Sequence, residues 1–421
     1  MTETLSPTEE PVTKTQKLIV LAATLAVTAA ACASATDGDG ASGAADIVTT
    51  TTGPDSSNTS VVDTSGLPDG PSALDDRFDD SFPEPLIDPG AVRSGGPPPD
   101  GIPPIDDPQF TSISAADEYL NDVEPVLVVD VDGDVRAYPI QIMMWHEIVN
   151  DTVGGLPLAV TYCPLCNSAI SFERVVRGVE TTFGTSGNLY NANLVMYDRA
   201  TESLWNQLDG RAVIGVLTGD VLTQYPSVTM SWAAFKEAKP DALVLDRERT
   251  GANRRYGTNP YTGLDDPNGQ PFLFNGEVDV RAKAMQRIVA IENENAATAW
   301  TIDALSGDAK AVATQAEFDG EPLTILWQAG ESSALDTTDI ASGRDVGSVG
   351  VFSSVVDNQT LTFQVSGDSF VDDETSSTWN ILGEAVAGPL AGTTLEPVTF
   401  VRTFWFSWAA FRPDTELIES S

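Results

Sequence analysis

The sequence predicts an α+β, β-rich fold: two tandem copies of one strand-rich unit with short helices, the second copy degenerate. Three observations predict it. The run Asp198-Arg-Ala-Thr201-Glu-Ser203-Leu-Trp205-Asn206 returns as Asp372-Asp-Glu-Thr375-Ser-Ser377-Thr-Trp379-Asn380. Gly210, Gly215 and Gly219, followed by Leu222, match Gly383, Gly388 and Gly392, followed by Leu395. Both copies then close on the same five letters, Ser231-Trp-Ala-Ala-Phe235 and Ser407-Trp-Ala-Ala-Phe411. Upstream the match is weaker: Pro157-Leu158 leading to Tyr162 pairs with Pro322-Leu323 leading to Trp327, and Tyr138 with Trp300. A duplication is an internal control. What both copies keep is scaffold; what one copy has alone is a candidate for function.

The elements follow in order. Lys14 and Lys17 precede the apolar run Leu18 to Ala31, which ends in Ala29-Ala30-Ala31-Cys32. A basic segment, a short apolar stretch and then small residues describe a signal peptide over residues 1–31. The run is too short for an ordinary membrane span. Cys32 after the small residues resembles a lipobox, whose cysteine is lipidated and anchors the chain to a membrane. Residues 32–108 are rich in Ser, Thr, Asp, Gly and Pro, with Phe78 and Phe82 as aromatic exceptions. This composition predicts a disordered, acidic tether, stiffer at Pro97-Pro98-Pro99 and Pro103-Pro104.

Residues 109–250 form the first repeat. Val126 to Val131, the turn Asp132-Gly133-Asp134 and a run to Tyr138 make a hairpin. Pro139 opens a short helix, with Ile140, Met144 and Ile148 four apart, predicted to end near Asn150. Gly154-Gly155 is a turn, Leu158 to Tyr162 a buried strand, Cys163-Pro164-Leu165-Cys166 a tight turn, and Ala169 to Arg174 and Leu194 to Tyr197 are strands. Ser231 and Ser407 are expected to cap the helices of their Trp-Ala-Ala-Phe turns. Residues 251–285 connect to the second repeat, 286–415.

A net charge of -40 over 421 residues, with a pI near 4.1, argues against nucleic acid as a partner and against adhesion to anionic lipid by charge. It fits a soluble surface. Within this acidic chain Arg247, Arg249, Arg254 and Arg255 form the densest basic cluster. They suit internal pairing with carboxylates, or an anionic small ligand gripped by guanidinium forks.

The chemistry concentrates in the first copy. Cys163 and Cys166 follow Tyr162, and the chain's single histidine, His146, lies seventeen residues before Cys163. The second copy has Gln328-Ala329-Gly330-Glu331 after Trp327 and no histidine between Thr301 and Glu321. Two thiolates in one tight turn hold a soft metal ion, cycle between dithiol and disulfide, or form a static disulfide. With His146 they make two sulfurs and a nitrogen for a metal, and Glu147, Met143 or Met144 stand ready to complete the set. Thioethers favour Cu and a carboxylate favours Zn. In a redox centre Cys163, Cys166 and His146 are the catalytic candidates, the imidazolium depressing a thiol pKa. In an exported protein the thiols meet an oxidising compartment. The repeated Asp-x-x-Thr-x-Ser-x-Trp motif holds a carboxylate and two hydroxyls, but its presence in both copies points to turn and capping work.

His146-Glu147-Ile148-Val149-Asn150-Asp151, Val160-Thr161-Tyr162-Cys163-Pro164-Leu165-Cys166-Asn167-Ser168, Leu194-Val195-Met196-Tyr197-Asp198-Arg199 and Phe404-Trp405-Phe406-Ser407-Trp408-Ala409-Ala410-Phe411 together resemble the bacterial family called domain of unknown function 3179. The likeness runs over residues 110 to 412. It implies an exported bacterial protein and brings no substrate, cofactor or catalytic residue to carry over.

Overall fold

The computed structural model describes residues 65–306 and 309–419. The signal peptide, Cys32 and the first part of the tether lie outside the described residues. Strands take up 39% of the structure and helices 11%, so the chain is β-rich with a few short helices.

Alternating β-branched residues build a first sheet around the hairpin Pro125–Val131 and Asp134–Pro139. Its order is Val228–Ser231, Pro125–Val131, Asp134–Pro139, Leu243–Leu245, Phe110–Ser112, and Leu243–Leu245 runs parallel to its hairpin neighbour. The later half contains a four-stranded sheet, Val401–Phe404, Arg287–Glu292, Ala297–Thr301, Glu416–Ile418, that matches the first four strands of that order, with the third pair again parallel. A second correspondence joins Ile148–Val153, Leu156–Cys163 and Ser168–Glu173 to Ala311–Phe318, Glu321–Gln328 and Ser348–Ser353. A third joins Phe183–Tyr190, Asn193–Asp198, Leu204–Asn206 and Ala212–Ile214 to Phe363–Ser366, Ser369–Asp372, Thr378–Trp379 and Ala385–Ala387. The register shifts just before Trp205 in one and just before Trp379 in the other.

The two tryptophan motifs perform identical backbone work. Asp198 accepts from Thr201 N at 2.7 Å, Thr201 Oγ1 at 2.9 Å and Trp205 Nε1 at 3.0 Å. Asp372 accepts from Thr375 N at 2.5 Å, Thr375 Oγ1 at 2.9 Å and Trp379 Nε1 at 2.9 Å. Ser203 Oγ receives Leu217 N at 3.1 Å, as Ser377 Oγ receives Leu390 N at 2.9 Å. Gly215 and Gly388 have positive φ, and a Cβ there would lie within 3 Å of Ser203 and Ser377 backbone, so both positions require glycine.

The described residues fall in one compact unit. One core cluster holds Cys163, Cys166 and Trp205 beside Ile288, Trp405 and Trp408; another holds Val126 and Trp232 beside Phe352 and Trp379. Each half therefore completes the apolar cover of the other.

Three expectations need correction. Ser231 caps its helix, accepting from Ala234 N, but Ser407 is the third residue of the helix Trp405–Phe411, whose N-cap is Phe404. The two helices end alike, at Lys239 and Arg412, which aligns Trp232 with Trp405 and leaves the second five-letter run three positions late. Three positions are nearly one helical turn, so the letters coincide without being equivalent. Second, the helix after Pro139 ends at His146, because Glu147 adopts φ 59 and the chain turns into Ile148–Val153. Third, residues 65–108 lie on the first half. Ala73, Val92 and Ile105 are buried, Arg93–Ser94 pairs with Phe183–Tyr190, and Asp100 bonds Tyr197 Oη at 2.7 Å and Arg199 Nη2 at 3.0 Å. The segment needs no core of its own when an existing sheet supplies the apolar face and the hydrogen-bond partners.

Candidate functional site

Cys163 is the last residue of the strand Leu156–Cys163 and pairs across the turn with Ser168. Pro164 bends the chain, Asn167 N returns to Pro164 O at 3.3 Å, and Asn167 closes the turn at φ 54. The two sulfurs are free thiols, both buried, with Cys163 donating to Cys166 at a separation of 3.1 Å. The later half pins the back of the turn: Cys166 O accepts from Thr403 Oγ1 at 2.7 Å and Phe404 N at 3.1 Å. The loop Asn191–Ala192, both residues at positive φ, presents a carbonyl to the thiols, with Ala192 O at 3.3 Å from Cys166 Sγ and 3.9 Å from Cys163 Sγ. Asn193 Nδ2 approaches Cys166 Sγ at 3.3 Å and is itself held by Gln207 Oε1 at 3.2 Å.

These surroundings separate the two thiols. Burial, then the hydrogen bond shared with Cys166, pushes the Cys163 thiol well above its ordinary range. Burial opposes ionisation at Cys166 as well, but the hydrogen bonds from Cys163 and Asn193, with the nearby Ser407 hydroxyl, outweigh it, and its pKa is lowered. Asn193 did not stand out in the sequence, and Ser407 stood out only as an expected helix cap. A polar residue in a hairpin loop and a serine within a helix give no signal of a shared sulfur.

Cys163 and Glu147 line one mostly apolar cavity of about 100 Å³, with Leu165, Leu194, Tyr261 and Phe272. Glu147 is 7% exposed, and its carboxyl has no hydrogen-bond or ion-pair partner among the described residues. Burial, then the neighbouring Cys163, pushes its pKa well above the usual carboxylate range. An unpartnered buried carboxyl facing a cavity costs stability when ionised and is a candidate for proton transfer.

A pH prediction follows. A carboxyl whose folded pKa exceeds its unfolded one contributes no penalty below the unfolded pKa and costs stability as pH rises toward the folded pKa. Glu147→Gln removes this titration. In urea unfolding the variant should gain steadily on the parent as pH rises from 5 to 8. A difference that stays flat over that range would show that Glu147 ionises freely.

The remaining candidates lie elsewhere. His146 Nδ1 meets Pro103 O at 2.7 Å, so that nitrogen carries the proton, and Nε2 accepts from Tyr256 Oη at 2.6 Å. Both ring nitrogens are thus engaged away from the sulfurs. Burial, and to a lesser degree Arg254, lowers the His146 pKa. Met143 and Met144 are buried in the core with Tyr138 and Val160. Cys163 and Cys166 are the two ligands the turn offers a soft metal, with the Glu147 oxygens in the adjoining cavity. Among the described residues, no group of three or more His, Cys, Asp or Glu side chains is placed to hold a metal ion. Arg247 pairs with Glu248 at 2.9 Å and Arg249 with Asp246 at 2.6 Å, whereas Arg254 and Arg255 make no ion pair or side-chain hydrogen bond among the described residues.

Fold and site thus define a β-rich protein with a few short helices around a buried thiol pair. The chain belongs to the family described as protein of unknown function (DUF3179), whose model matches residues 99–415. No curated protein and no solved structure matches it.

Proposed function

We propose that this chain is a duplicated β-rich unit, exported and tethered to a membrane through Cys32, whose first copy carries a dithiol–disulfide redox centre. Cys163 is the cavity-facing thiol, Cys166 the resolving thiol and Glu147 the proton carrier. The observation that carries this reading is a pair of free sulfurs 3.1 Å apart beside a cavity that one of them lines with an unpartnered carboxyl. A disulfide requires about 2.05 Å, so a small movement of the turn closes the bond.

The reaction partner is a low-molecular-weight disulfide or, in reverse, its thiol, which brings one sulfur to the cavity of about 100 Å³ while the rest of the molecule stays outside it. Cys163 Sγ loses its proton to the Glu147 carboxylate and attacks one sulfur of the incoming disulfide. The other sulfur leaves as thiolate and takes the proton from Glu147. Cys166, having lost its proton to solvent, attacks Cys163 Sγ of the mixed disulfide as a thiolate, and the second sulfur departs as a thiolate that takes a proton from solvent. Two electrons and two protons pass from the protein dithiol to the small disulfide, and Cys163 and Cys166 are joined. The lowered Cys166 pKa supplies the resolving thiolate, while a carboxyl with a raised pKa is closer in basicity to the thiol it serves.

The test uses the full chain with glutathione disulfide. The parent should lose both titratable thiols and two hydrogens of mass. Cys166→Ser should accumulate a mixed glutathione adduct on Cys163, and Cys163→Ser should not. Two thiols that persist under excess oxidant would overturn the redox reading. Metal analysis of protein purified without chelator separates the alternative: one Cu or Zn per chain, lost in Cys163→Ser, would make this a metal site instead. No helix among the described residues is long and apolar enough to cross a membrane. The anchor is checked by expressing Cys32→Ser in a bacterial host, where membrane retention and fatty-acid labelling should both disappear.

A further inference from the structure

Two sequence features take no part in the thiol chemistry: the single histidine and the arginine cluster. The fold brings them together. Tyr256 donates its phenol proton to His146 Nε2 at 2.6 Å and is met on its other side by Thr250 Oγ1 at 2.7 Å. The ring thereby forms a fixed wall of an open cleft of about 560 Å³, lined further by Arg247, Arg254, Arg255, Glu248 and the backbone of residues 251–253. Its volume falls in the range of small-molecule sites, and its lining is almost wholly polar.

The charges in this cleft are unusual for the protein. Most other arginines and lysines among the described residues have an acidic partner, as Arg136, Arg174, Arg199 and Lys236 do. Arg254 and Arg255 have none, although the chain carries -40 overall and acids are abundant. Arg247 is held in place by stacking on Tyr119, 4.1 Å from guanidinium to ring centre, and Glu248 neutralises one of the three cations. The remaining excess of two positive charges matches a dianion, and guanidinium forks match its oxygens.

We propose that this cleft is a binding site for a phosphate-type dianion, a phosphomonoester or diphosphate group, held by Arg254 and Arg255 with Arg247 in support. The His146–Tyr256–Thr250 chain acts as its positioning wall. The phenol hydrogen is committed to His146, so the guanidiniums supply the contacts. The site is distinct from the thiol pair, and its ligand need not take part in redox chemistry.

The experiment is calorimetric titration of the full chain with inorganic pyrophosphate in buffer free of divalent cations, beside flotation with phosphatidic acid vesicles. One saturable pyrophosphate site per chain is expected, weakened tenfold or more in Arg254→Ala/Arg255→Ala. It should be unchanged in Lys283→Ala, a cation without an acidic partner elsewhere, and unchanged in Cys163→Ser/Cys166→Ser. Vesicle binding that also depends on Arg254 and Arg255, without pyrophosphate binding, would support the same site and identify a lipid headgroup as the phosphate source. No binding to either probe, or equal losses in Lys283→Ala and the double arginine variant, would overturn it. Arg254 and Arg255 are exposed, so circular dichroism and thermal unfolding of the variant should match the parent.

Discussion

Arg402→Met is expected to lower stability by about 3–5 kcal/mol, the usual cost of removing one partner from a buried ion pair. Arg402 Nη1 meets both oxygens of Glu331, at 2.8 Å and 3.0 Å, and the two residues are 7% and 3% exposed. Burial already raises the Glu331 pKa against the pull of Arg402, and the carboxylate left behind keeps only the weaker help of Arg287 and Ser348. The double variant Arg402→Met/Glu331→Leu should recover most of the loss, because an apolar pair of similar volume carries no desolvation cost. Urea midpoints with unchanged slopes would report this directly. Single and double variants of equal stability would show that the pair does not bear on folding. Glu331 belongs to the loop after Glu321–Gln328, which the sequence aligns with the cysteine turn, and Arg402 reaches it from the strand Val401–Phe404.

Asp198→Ala and Asp372→Ala should each cost about 3 kcal/mol or more, and by similar amounts. Each substitution strands a buried indole N–H and a backbone N–H, at about 1–3 kcal/mol per buried donor left without an acceptor. Near-equal losses, measured by thermal and urea unfolding, would establish that the two motifs are the same structural device in two places. A variant close to the parent in either half would break that equivalence. Neither substitution should alter the rate at which Cys163 and Cys166 react with glutathione disulfide in the fraction that remains folded.

The strand-rich character, and the turns at the two Asp-x-x-Thr-x-Ser-x-Trp motifs, were legible because they rest on local signals. Glycines at positive φ, an Asp three residues before a Thr, and hairpin turns each impose their conformation through near neighbours. The misplaced Ser407 cap shows where such reasoning slips: identical letters can sit almost a full turn apart, and capping depends on position rather than identity. The folded segment 65–108 shows another limit. Its composition describes a chain that cannot order alone, and its order comes from a surface supplied by residues more than eighty positions away, such as Tyr197 and Arg199.

The candidate site divides in the same way. The proximity of Cys163 and Cys166 follows from two intervening residues and a proline, so the chain's own letters were enough to predict a sulfur pair in a tight turn. What faces that pair depends on contacts between distant segments: Ala192 O and Asn193 from a hairpin, Ser407 from the later half, and Glu147 across a cavity. His146 is as near to Glu147 as chain neighbours can be, yet its ring is committed to Pro103 and Tyr256. Adjacent side chains leave a helix end in different directions, and packing alone chooses which cavity each one enters.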